Sequence, residues 1–146
     1  MKKYTDYVKR QYGEAMVIFD GYDSASTKDM THQRRHKGKK GTKVSFTLDM
    51  ILTEGKDLFL AHSTNKQRFI DYLGKALCQS GCQVFHAKAD ADLLIVLKAV
   101  EAAKTTKTVL VGDDTDLLVL LLYHAELQSF DLYFAPEPKR NSRCRT

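Results

Sequence analysis

Four short apolar runs recur along the chain: AMVIFD (15–20), GCQVFH (81–86), TVLVG (108–112) and FDLYF (130–134). Each has the length of a buried strand, and stretches of helical periodicity separate them. Residues 63–78 place Phe69, Leu73 and Leu77 on one face, with Ser63, Thr64 or Asn65 available as a cap. Residues 89–103 form a second helical stretch with Asp90 and Asp92 in its first turn, and residues 116–124 a third. Tyr4, Tyr7, Val8 and Tyr12 fall at helical spacing ahead of a stop at Gly13. Residues 43–52 alternate in part and read as a strand or ribbon. Strands alternating with helices predict an α/β fold, three layers (α/β/α) around a mostly parallel central sheet.

The third run leads into an anomaly. In VLVGDDTDLLVLLL (109–122), Asp113, Asp114 and Asp116 interrupt an otherwise core-like stretch. Unpartnered buried carboxylates are costly, and crowded like charges repel. Asp20 closes the first run, and Asp90 and Asp92 follow the second. In one parallel sheet all six acids would fall at the carboxyl ends of strands, where such folds bind ligands. Helix N-termini ease such a charge by only ~0.3–1 kcal/mol. A hard cation, Mg²⁺ or Mn²⁺, is the stronger compensation. Both ions take oxygen ligands, and two of them about 4 Å apart can clamp a phosphoryl transfer. Taken singly, the acids have ordinary readings: Asp90 and Asp116 as helix caps, Asp20 as a turn residue before Gly21. Asp23, Asp29, Asp49, Asp57 and Asp71 read as surface charges.

Charge is unevenly spread. The formal net charge is +5, and the segment from Lys28 to Lys43 holds seven Lys or Arg and one Asp. Lys28, Arg34, Arg35, Lys37, Lys39, Lys40 and Lys43, with His32 and His36 among them, form either a solvated loop or a segment that tracks phosphates. Gly38 and Gly41 weaken any helix there. No apolar run approaches the ~18–20 residues that span a bilayer, and the charged start lacks a secretory core. Three cysteines without a paired framework suit a reducing compartment. Cys78 and Cys82 with His86 could be read as zinc ligands; small buried side chains are the ordinary reading.

The segments VIFDG (17–21), AKADADLL (87–94) and VGDDTDLL (111–118) together resemble motifs of the flap-endonuclease group of structure-specific 5′ nucleases, which have a PIN-like fold. The resemblance runs from about Ala15 to Leu122. It implies one PIN-like domain over residues 1–135, with residues 28–43 as a basic arch and 136–146 as a polar tail. It implies a metal-dependent nuclease with a two-metal mechanism. Asp20, Asp90 and Asp92 would hold one ion, Asp92 would bridge, and Asp114 and Asp116 would hold the second, with Asp113 less central. Arg34, Arg35 or Lys37 would steady the scissile phosphate. The implied partner is nucleic acid, DNA ahead of RNA, without a membrane, and the implied location is intracellular and nuclear. The group's acid pair is usually two glutamates, where this chain has two aspartates. Its N-terminal Asp and its later G-x-D-Y motif are not found here, so the expectation is a truncated or mobile-element-derived copy.

Two other readings use the same residues. A nucleic-acid-binding or protein-interaction module with a decayed metal site would keep the basic segment and lose the chemistry. A haloacid-dehalogenase-type phosphatase would use Asp20 as nucleophile. That chemistry needs a second Asp two residues on, and here Asp23 is three on.

Overall fold

The computed structural model describes residues 1–21, 41–48, 50, 51, 53, 55–88, 90–125 and 131–137. The chain divides into two compact units, Met1–Ala89 and Asp90–Thr146. Both mix helices with short parallel strands, so the α/β class holds.

The first unit contains α1 (Lys2–Tyr12), β1 (Met16–Phe19), α2 (Lys56–Leu60), α3 (Ser63–Gln79) and β2 (Gln83–His86). β1 and β2 pair in parallel, from Met16 opposite Gln83 to Phe19 opposite His86. Helix α1 stops at Gly13, whose amide donates to Lys9 O at 2.9 Å. It packs on α3 through Tyr4, edge-on to Phe69 at 5.7 Å between ring centres. Helix α3 ends in a Schellman motif. The Cys82 amide donates to Leu77 O, the Gly81 amide donates to Cys78 O, and Gly81 takes a positive φ of 94°. Leu77 and Cys82, the pair this motif brings into contact, are both buried, and the chain turns from there directly into β2.

The second unit contains α4 (Asp92–Ala103), β3 (Thr108–Val111), α5 (Thr115–His124) and β4 (Leu132–Ala135). β3 and β4 pair in parallel, from Thr108 opposite Leu132 to Val111 opposite Ala135. The core joins Val96, Ala99 and Val100 of α4 to Leu110 of β3 and to Leu117 and Leu121 of α5. Ile95, Leu120, Leu132 and Phe134 close around it. The spacings 96–100 and 117–121 are the i, i+4 stripes that face a helix toward its core.

Several expectations are corrected. The strands form two two-stranded ladders, one in each unit, where one central sheet was expected. Residues 41–47 form no ladder, and a turn begins at Leu48. Their backbone is satisfied by the Asn65 side chain, which accepts from Val44 N at 2.9 Å and donates to Thr42 O at 2.8 Å. These are the two groups that a neighbouring peptide of a parallel strand would bond on either side of Lys43. Asn65 is therefore a buried tie and not a cap; the N-cap of α3 is His62, with no side-chain cap bond. Among the described residues no helix is long and apolar enough to cross a membrane.

Candidate functional site

In the first unit, Asp20 stands one residue beyond β1 and is exposed. Gly21 follows it, and a Cβ there would lie 2.1 Å from Ala87 O and 2.5 Å from Lys88 O. The chain leaves β1 directly against the backbone beyond β2, so the residue after Asp20 must be glycine.

The other five acids belong to the second unit and form two matching turns. Asp90 precedes α4, and its Oδ1 accepts from the Asp92 amide at 3.2 Å. Asp114 is the N-cap of α5, and its Oδ1 accepts from the Asp116 amide at 3.0 Å. In each D-x-D the first Asp satisfies an orphan helix amide, and the second sits in the first turn, where the helix dipole favours negative charge. Asp113 does a third job. Its Oδ1 accepts from the Glu137 amide at 2.9 Å, tying the turn after β3 to the chain just beyond β4. The Gly112 amide reinforces this by donating to Ala135 O at 2.9 Å.

Three expectations change here. Asp90 lies outside the first turn of α4, which begins at Asp92, and the cap of α5 is Asp114 and not Asp116. Asp113, Asp114 and Asp116 are all exposed, although apolar sequence flanks them. Water and backbone amides therefore meet much of the cost for which the sequence suggested a cation as the stronger compensation. Among the described residues, no three Asp, Glu, His or Cys side chains stand together as a metal-holding group. The zinc reading gains nothing: Cys82 is buried, Cys78 is exposed, and His86 stacks on Phe19 at 5.4 Å.

Lys43 is exposed on the first unit. Lys28, Arg34, Arg35, Lys37, Lys39 and Lys40 lie outside the described residues, as do Asp23, Asp29, Asp49 and the chain from residue 138 onward. The division into units also divides the charge. Met1–Ala89 carries sixteen Lys and Arg against nine Asp and Glu; Asp90–Thr146 carries seven against nine.

Sequence reasoning missed one cluster. The Arg68 guanidinium lies 5.5 Å from the Phe46 ring centre and 5.7 Å from that of Tyr72. The i, i+4 spacing of Arg68 and Tyr72 was visible; the approach of Phe46, 22 positions earlier in the chain, was not. No family model, curated protein or solved structure matches the chain.

Proposed function

We propose that this chain is a metal-dependent nuclease of PIN-like, flap-nuclease-like plan that hydrolyses phosphodiester bonds of nucleic acid. The observation that carries the reading is the pair of D-x-D turns at Asp90–Asp92 and Asp114–Asp116. Each first carboxylate is oriented by an amide of its own turn, at 3.2 and 3.0 Å. Asp20, in the VFDG context after β1, is the further acid of the resemblance.

The donor set suits the ion. Carboxylates are hard oxygen ligands, the chemistry of Mg²⁺ and Mn²⁺ sites, and Asp90, Asp92, Asp114 and Asp116 of the second unit would hold the metal, with Asp113 bracing the turn. When bound, two such ions supply an activated water and stabilise charge on the attacking and leaving oxygens. The protein's part is to orient the carboxylates through the D-x-D amides and to gather phosphate through the basic half of the chain. Lys43 and the Arg34, Arg35 and Lys37 group are the candidates for that role.

A direct test is Mn²⁺ titration of the folded protein followed by paramagnetic broadening of backbone NMR signals. Broadening centred on residues 90–92 and 113–116, abolished by an Asp114→Asn, Asp116→Asn double variant, is the expected result. Broadening elsewhere, or none at millimolar Mn²⁺, removes the metal assignment.

The hydrogen bonds of the acids themselves favour one second reading. Asp90, Asp113 and Asp114 each perform a structural task that needs no metal. A non-catalytic nucleic-acid-binding module would keep these bonds and bind without cutting.

A further inference from the structure

In the first unit, one buried side chain lays an extended segment along α3. Asn65 is 1% exposed, and besides its bonds to Val44 N and Thr42 O it donates to Phe59 O at 3.0 Å. Side chains of the segment then alternate. Phe46 is buried, edge-on to Phe59 at 5.0 Å and to Tyr72 at 5.7 Å, while Lys43 and Ser45 are exposed. Arg68 of α3 lies over the rings of Phe46 and Tyr72. Its Nη1 reaches Ser45 Oγ and its Nη2 reaches the Tyr72 hydroxyl, both at 3.4 Å.

These two contacts are long and made to neutral oxygens. Among the described residues Lys98 pairs with Glu101 and Lys107 with Asp131, and no ion pair of Arg68 is seen. A guanidinium carries five N–H donors in a planar fork suited to a bidentate oxyanion. Here two aromatic rings lie within about 6 Å of the guanidinium carbon and offer it cation–π contacts. Lys75 is exposed seven residues further along α3, about 10 Å along the axis. Tyr72 falls between them at i+4.

We propose that this face of α3, with Arg68 at its centre and Lys43 and Lys75 on either side, binds the phosphates of single-stranded nucleic acid. The inference rests on the reading that the chain acts on nucleic acid, and it deepens that reading by naming a binding surface outside the acidic turns. Interleaved cations and aromatic side chains are the surface chemistry of single-strand tracks. Bidentate phosphate binding by a held arginine supplies the fixed point.

The test is fluorescence anisotropy of a labelled oligothymidine in chelator, where binding is read without cleavage. The proteins are wild type, Arg68→Gln, Arg68→Lys, and the control Glu101→Gln in the second unit, each with a thermal melt. Arg68→Gln is expected to weaken binding about tenfold and to reduce the salt slope by about 0.7 for each phosphate that the variant leaves unneutralised. Arg68→Lys keeps the charge but loses the fork, and falls between the two. The control matches wild type. Should Arg68→Gln fail to fold, Lys43→Gln with Lys75→Gln carries the same expectation, since both side chains are exposed. Unchanged affinity and slope in a folded Arg68→Gln, or in the Lys43, Lys75 double variant, overturns this site while leaving the nuclease reading standing. Tighter binding of duplex than of oligothymidine overturns the single-strand assignment. Failure of wild type to bind any oligonucleotide withdraws both.

Discussion

Asp90 and Asp114 hold the same post in successive turns: each Oδ1 accepts the backbone amide of the Asp two residues on, Asp92 at 3.2 Å and Asp116 at 3.0 Å. The shared post separates two roles that an alanine variant would confuse. Asn caps helices about as well as Asp, whereas Ala costs about 1 kcal/mol. Asp114→Asn should therefore keep the stability of wild type and lose metal-dependent cleavage. Asp114→Ala should lose cleavage and about 1 kcal/mol besides. Thermal unfolding and cleavage rates measured on both variants check this, and a charge-insensitive cleavage rate would assign Asp114 to the cap alone.

Gly21 is fixed by the backbone it crosses. A methyl group at that position would overlap Ala87 O, a main-chain atom with no freedom to swing aside. Gly21→Ala should destabilise the first unit by about 2–3 kcal/mol, read as a lower midpoint in urea unfolding. The second unit supplies the comparison: at Gly112 the nearest atom is Leu117 Cδ2, at 2.6 Å, the end of a side chain that can rotate. Gly112→Ala should cost less.

Asn65 ties three backbone groups to α3 from a site that is 1% exposed. Asn65→Ala leaves those groups unpaired and should cost about 2–3 kcal/mol. Hydrogen exchange gives the specific signature: the Val44 amide should exchange much faster in the variant, while the amides of β2 stay close to wild type.

The reach of the sequence is clear from these same residues. Strands β1, β2 and β3 were visible as apolar runs bounded by acids, histidine or glycine, and α3 as helical periodicity over residues 63–78, because such signals are local. The task of Asn65 was not visible, because its partners Val44 and Thr42 lie 21 and 23 positions away. For the same reason residues 43–52 read as a strand: their alternation is real, but a side-chain amide stands where a ladder was expected. Strand pairing is likewise nonlocal, and two ladders appear in place of one sheet. At the acidic turns, apolar neighbours in sequence suggested a burial that the turns do not impose.

Glu101 offers a test of pH dependence. Lys98 Nζ lies 2.7 Å from its Oε2. That hydrogen bond, and then the Lys98 charge, hold the Glu101 carboxyl below its ordinary 4.5. With the folded value below the unfolded one, the pair's contribution is present above pH 4.5 and is lost as pH falls through the lowered value. The pair is exposed, so the contribution is small and salt-sensitive. NMR titration should place Glu101 below 4.5 in wild type and return it toward 4.5 in Lys98→Ala.

The most direct test of the nuclease proposal is cleavage of labelled 5′-flap DNA, single-stranded DNA and single-stranded RNA. It is run in Mg²⁺, in Mn²⁺ and in chelator, with wild type beside the Asp114→Asn, Asp116→Asn double variant. The account predicts cutting that needs the ion and disappears in a double variant that still folds. Cutting that survives in that variant, or a folded wild type that binds these substrates and cuts none of them, would contradict it.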